Sequence, residues 1–263
     1  DQKSQNFGNR KEAEKVAAER HCFHAGGDVQ VMSARSTKHY PGVQMQRTLF
    51  LVYQEKLTQP IVVDLFRVES TDEHSYDYPI HFHGQLITTN FKYQAALNIQ
   101  KTLSDDHGYQ HIWQTAHGKP EKSFSVTWLN ANRYYSLIAS DGSGTDVYFG
   151  RTGANDPNFN LKSEPLVVIR KKAKNHLFAS VIEPHGFFNE AAEKSVQARP
   201  TVQNVQVIGS NDEVSIVEIR GKNIHWQIMT TNQAADESKK HKVTFGEKSY
   251  EWTGNYNFVD LNR

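Results

Sequence analysis

The sequence predicts an all-β fold of stacked antiparallel β-sheets, a large β-sandwich, with one short N-terminal helix. Three observations carry this reading. Runs rich in Val, Ile, Tyr, Phe and Trp recur at intervals of roughly ten to fifteen residues, with Gly, Asn and Asp between them. Several runs alternate apolar and polar residues, the period of a half-buried strand. Hydrophobic residues make up 37% and aromatic residues 11% of the 263 residues, which suits broad sheets with one wet face better than a deep α/β core.

Residues 9–20, NRKEAEKVAAER, carry the clearest helical signal, with acidic residues early and Arg20 late. They hold little apolar surface and read as a lead-in. Ala25-Gly26-Gly27 breaks the pattern, so the chain divides into a helical lead-in or linker over 1–24 and a β-sheet domain over 25–263. Strands are expected at Asp28–Ala34, Thr48–Tyr53, Pro60–Val68 and Ile80–Asn90. More follow at Ser123–Leu129, Tyr134–Ala139, Val147–Gly150, Leu166–Arg170 and Leu177–Glu183. Val202–Ile208, Val214–Ile219, Ile224–Thr230, Lys242–Phe245 and Ser249–Thr253 complete the series. Tyr93–Gln114 and Gly153–Pro165 lack strand periodicity. The second is dense in Asn, Asp and Pro, and a loop of that length inside a β domain is a functional candidate.

Composition narrows the partners. A net charge of +1 is far from a polycation, which argues against nucleic acid. The single cysteine, Cys22, forbids a disulfide within the chain. No run of 18 apolar residues is present, so no membrane-spanning helix is expected. The chain starts at Asp1 without Met or a signal peptide and reads as processed or truncated.

Candidate chemistry gathers around two places. His81 and His83 flank Phe82, and on a strand they share a face; they read either as paired surface imidazoles or as metal or catalytic groups. Asp64 lies inside the apolar run IVVDLF, where an unpaired carboxylate is costly. It needs a metal, an arginine such as Arg47 or Arg67, or several backbone donors. Neither a Gly-x-Ser-x-Gly elbow nor a phosphate-cradling glycine loop occurs. Tyr76, Tyr78, Tyr93, Tyr109, Tyr134 and Tyr135 read singly as strand aromatics with their hydroxyls at the rim, and as a set suit a carbohydrate groove.

Five segments then appear in order: YDYPIHFHGQLITTNF, HGYQHIW, TWLNANRYYSL, GRTGANDPNFNLKSEP and SVIEPHG. Over about residues 25–230 they resemble the C-terminal heparinase II/III-like β domain of oligoalginate lyases, polysaccharide lyase family 17, with GANDPNFNL and SVIEPHG the most specific parts. The resemblance implies stacked antiparallel sheets that follow an N-terminal (α/α) toroid, a cleft between the two, and β-elimination on a uronate. It also implies a structural zinc held by two His and one Asp, with Asp64 at the Asp position. Glutamines stand where the upstream His belongs, near Gln44-Met45-Gln46-Arg47, so zinc is doubtful here.

The expected function is therefore one wall of the cleft of an alginate lyase, secreted or periplasmic, with an acidic oligosaccharide as ligand. No cofactor is required for the chemistry. The toroid is an expected partner domain, and the chain without it is expected to be inactive. His81 and Tyr78 are the catalytic candidates, and Arg67, Tyr93 and His83 the substrate-binding ones. Asp64, His83 and His111 are the metal candidates. The rival readings are a stand-alone uronate-binding or scaffold module and a lyase of another uronic acid polymer.

Overall fold

The computed structural model describes the chain except for residues 2, 4, 6–8, 56, 141, 154–162 and 263. Helix α1 (Arg10–Ala13) is a single turn whose N-cap, Asn9, accepts the Glu12 N–H at 3.0 Å. It buries no residue, so nothing in the fold prolongs it. The helix expected to reach residue 20 ends early, and β1 (Glu19–His24) begins instead, pairing with β2 (Val29–Ser36) and burying Cys22.

Strands β3 (Val43–Val52), β4 (Ile61–Ser70), β5 (His74–His81) and β6 (Gln85–Thr89) follow. The alternating run Ile80–Asn90 is thus two strands rather than one. Gly84 separates them at φ +98°, and a Cβ there would stand 2.0 Å from the Leu129 carbonyl oxygen, so only glycine fits. The aperiodic stretch after residue 92 holds β7 (Tyr93–Ala95), β8 (Lys101–Thr102) and a 3₁₀ turn at Tyr109–His111, before β9 (Trp113–Gly118). β10 (Phe124–Asn130) and β11 (Arg133–Ala139) form a hairpin around Ala131 and Asn132, both at positive φ, the backbone of a type I′ turn. Next come β12 (Thr145–Thr152), β13 (Glu164–Ala173), the long β14 (His176–Asn189), and β15 (Lys194–Val196). β16 (Val202–Ser210), β17 (Val214–Gly221), β18 (Ile224–Thr231), β19 (Lys240–Phe245), β20 (Lys248–Thr253) and β21 (Tyr256–Asp260) end the chain.

Among the described residues these strands build four antiparallel sheets. The central nine-stranded sheet runs β1-β2-β3-β4-β14-β11-β10-β6, with β15 beside β14. A six-stranded sheet runs β5-β13-β12-β9-β7, with β8 beside β9; a four-stranded sheet runs β16-β17-β18-β21; and β19 pairs β20. Side-chain alternation stacks them. On β4, Ile61, Val63 and Leu65 pack towards the four-stranded sheet around Trp226, Ile219 and Ile228. Phe66 and Val68, on the other face, pack towards the six-stranded sheet around Tyr78, Val167 and Phe149. A third apolar layer, including Ile216, Met229, Tyr250 and Trp252, joins the four-stranded sheet to β19–β20. The molecule is therefore a stack of sheets, as the spacing predicts, with one short helix.

Candidate binding cleft

Where β3 and β4 of the central sheet meet β5, a cavity of about 430 Å³ opens. Its wall includes Tyr40, Met45, Arg47, Phe66, Tyr76 and Tyr78. Alternation along β5 explains the arrangement: Tyr76 and Tyr78 turn towards the central sheet, and Asp77 turns away from it.

Asp64, 2% exposed, is the anchor. Arg47 Nε donates to Asp64 Oδ1 and Oδ2 at 3.1 and 3.2 Å, and Arg47 Nη2 donates to Oδ2 at 2.5 Å. The Tyr78 hydroxyl donates to Asp64 Oδ2 at 2.6 Å and lies 3.3 Å from the Ser180 hydroxyl. These charge-assisted bonds make a carboxylate in an apolar strand tolerable. The Asp64 bond holds the Arg47 pKa above its ordinary value against the opposing effect of burial. Burial, and then the Asp64 charge, raises the Tyr78 pKa, so its proton stays on. The guanidinium carbon of Arg47 lies 6.0 Å from the Phe66 ring centre and 5.6 Å from that of Tyr78.

A second cluster centres on Asp77, which faces the other side of β5 and, with Tyr109, also borders the cavity. Arg170 on β13 donates from Nε and Nη2 to Asp77 at 2.6 and 2.8 Å, and the Tyr109 hydroxyl donates to Asp77 at 2.5 Å. The Asp77 bond raises the Arg170 pKa, while burial, followed by its own hydrogen bond to Asp77, raises the Tyr109 pKa. Arg170 also sits 5.1 Å above the Tyr148 ring, which stacks on His117 at 4.7 Å; His117 Nε2 lies 2.6 Å from Asp146. Sequence reasoning missed Arg170 as a site residue. Its partner is 93 positions away, and nothing local marks that pairing.

The residues singled out from sequence do not assemble as one site. Tyr78 lines the cavity, yet its hydroxyl proton is committed to Asp64, which makes it a brace for the Arg47–Asp64 pair. His81 is exposed at the end of β5, opposite Leu166 in register. His83 lies beyond the strand, exposed, with Nδ1 3.8 Å from Glu164. Between them Phe82 is buried against Trp128, with ring centres 4.9 Å apart. Arg67 lies apart from the cavity. It faces the other side of β4 from Asp64, where it pairs with Glu69 at 2.7 Å and Asp212 at 3.4 Å. Tyr93 also lies apart: it is on β7, the far edge of the sheet whose near edge is β5, four strand spacings or roughly 19 Å across. The loop GANDPNFNL falls almost entirely within residues 154–162, outside the described residues.

The three metal candidates do not come together. Among the described residues no group of three His, Cys, Asp or Glu stands close enough to hold an ion, so Asp64, His83 and His111 do not converge. Asp64 is engaged by Arg47 and Tyr78, and Gln46 turns away to donate to the Thr231 carbonyl at 2.9 Å. A guanidinium against Asp64 is the wrong neighbour for a cation. These residues do not fit the zinc that the resemblance implies.

No family model matches the chain. The fold is shared with two solved polysaccharide lyases. A heparan sulfate lyase of Pedobacter heparinus aligns with TM-score 0.50 at 11% identity, over 82% of this chain and 28% of that one. A heparinase III aligns with TM-score 0.51 at 10% identity, over 81% and 27%. Such identities speak to fold alone. By sequence, the chain is 33% identical over 239 residues to an exo-oligoalginate lyase of Saccharophagus degradans, covering 88% of this chain and 32% of that protein. It is 34% identical over 269 aligned positions to an alginate lyase of Stenotrophomonas maltophilia, covering 100% of this chain and 36% of the relative. The chain is a homologue of one portion, about a third in length, of these two lyases.

Proposed function

We propose that this chain is the β-sheet portion of an alginate lyase and supplies one wall of a cleft in which a uronate polymer is cleaved by β-elimination. The observation that carries the reading is the 34% identity to an alginate lyase across the whole chain. In this reaction a base removes the C5 proton of a uronate. The C5–H electron pair forms the C4–C5 double bond, the C4–O4 bond breaks, and an acid protonates O4. Polar groups near C6 stabilise the charge that develops on the carboxylate. The remaining two thirds of the protein, a helical toroid in this reading, carries the base and the acid. The β-sheet wall holds the sugar against them. Secretion or a periplasmic location goes with a polymeric substrate that stays outside the cytoplasm.

His81 is the candidate on this chain for a contact near the reacting sugar: it is exposed at the end of β5, on the face of that strand that also carries Asp77 with its partners Arg170 and Tyr109. The test is His81→Ala in the full-length protein. The expected result is a loss of about tenfold or more in kcat/KM on oligo-mannuronate at unchanged Tm. An unchanged rate removes His81 from the site.

A further inference from the structure

We propose that Arg47 is the carboxylate-recognition residue of the cleft: the guanidinium edge turned into the cavity takes the C6 carboxylate of a uronate unit. The assignment rests on the lyase reading and adds to it a named ligand group and a named receptor.

Four observations converge on Arg47. The guanidinium is anchored on one edge, where Nε and Nη2 donate to Asp64. Its side chain is 51% exposed while that of Asp64 is 3% exposed, so the pair points its positive end at solvent and its negative end at the core. A guanidinium has five N–H donors in a planar fork. Two atoms face Asp64, which leaves donors on the outer edge for a bidentate carboxylate. The group is also held in place before any ligand arrives, by the Tyr78 brace on Asp64 and by the Phe66 and Tyr78 rings beneath the guanidinium. Ordering costs that would weaken binding are thereby reduced.

The surroundings fit an acidic sugar rather than a bare anion. Tyr40, Met45 and Tyr76 line the same cavity and offer apolar and aromatic surface to the C–H face of a pyranose. The cavity's other carboxylates are already engaged: Asp77 by Arg170 and Tyr109, Asp1 by His74 and the Ser75 N–H. They do not compete for Arg47, whose one carboxylate partner among the described residues is Asp64.

The test uses the full-length protein with two probes: an alginate oligomer, and the same oligomer with its carboxylates reduced to alcohols. Wild type is expected to bind the acid at least about tenfold more tightly than the neutral form. Because Arg47→Ala strands a buried carboxylate, the main variant is Arg47→Met combined with Asp64→Asn, which removes both charges. KM for the acid is expected to rise on the order of 10- to 100-fold, with binding of the neutral oligomer unchanged. Arg47→Lys, which keeps the charge and loses the fork, is expected to lie between the two and serves if the double variant does not fold. An unchanged acid-over-neutral preference in the variants overturns the Arg47 assignment while leaving the lyase reading intact. A wild-type protein that cleaves no uronate polymer overturns both.

Discussion

A carboxylate in the middle of an apolar strand needs partners, and the partners of Asp64 shape the cleft. Its register neighbour on β3 is Leu49; Arg47 stands one pleat away on the same face, and Tyr78 reaches over from another sheet. Removing Arg47 alone leaves a nearly buried charge held by one hydroxyl. Arg47→Ala is therefore expected to lower stability by about 2–3 kcal/mol in a denaturant melt, between the values for exposed and fully buried pairs. Arg47→Met with Asp64→Asn should recover much of that loss. Tyr78→Phe removes a single charge-assisted bond and should cost about 1–2 kcal/mol. Chelator treatment should leave Tm unmoved, since the group facing Asp64 is a guanidinium; a chelator-induced drop in Tm accompanied by stoichiometric zinc would contradict this picture of the site. The Asp64–Arg partnership was legible from burial logic alone. Which arginine it takes was not: Arg47 and Arg67 both lie within a few residues in space, and only the pleat separates their faces.

At the scale of elements, Gly84 and His241 carry the sharpest expectations. Gly84 stands between β5 and β6, immediately before the strand that pairs with β10. A methyl group there meets the Leu129 carbonyl, and the backbone is left-handed, so Gly84→Ala should destabilise by about 3 kcal/mol. A calorimetric melt close to wild type would count against that packing. His241 on β19 is 6% exposed, stacked on Trp252 at 4.5 Å, and its Nε2 has no hydrogen-bond partner among the described residues. Burial, and then the nearby Lys239 charge, lowers its pKa from the ordinary 6.5. The unfolded chain then binds the proton more readily than the folded one. This contribution to stability is present in full above about pH 6.5 and falls as the pH drops below it. Tm measured from pH 7.5 down to 5.5 should decline, and His241→Phe should flatten that decline. The small β19–β20 sheet was visible as two short alternating runs; the protonation behaviour of its histidine follows only from the layer that covers it.

For the whole molecule, the sheet stack spans about a third of the length of its lyase relatives. If the remaining portion supplies the base and acid, the 263-residue chain alone should yield no unsaturated uronate product from alginate, whereas the full-length protein should. Turnover by the isolated chain would move the chemistry onto these sheets and require a different set of catalytic groups. The placements of Arg67 and Tyr93 bear on this. With Arg67 ion-paired on the far face and Tyr93 at the distant sheet edge, the wall that remains is compact: Arg47, Phe66, Tyr76 and Tyr78.

The sequence by itself determined that the protein is all-β, where most strands lie, that Asp64 must be compensated, and, through five ordered segments, which enzymes it resembles. These properties are written locally, in period-two alternation, turn residues and short motifs. Tertiary structure alone decided how the sheets stack, that Gly84 splits an apparently continuous run, and which charged groups meet. The Asp77–Arg170 and Asp64–Tyr78 contacts join different strands, the second joins different sheets, and a one-residue change of register would turn each side chain to the opposite face. A linear pattern does not encode that register; the packing of whole sheets against one another does.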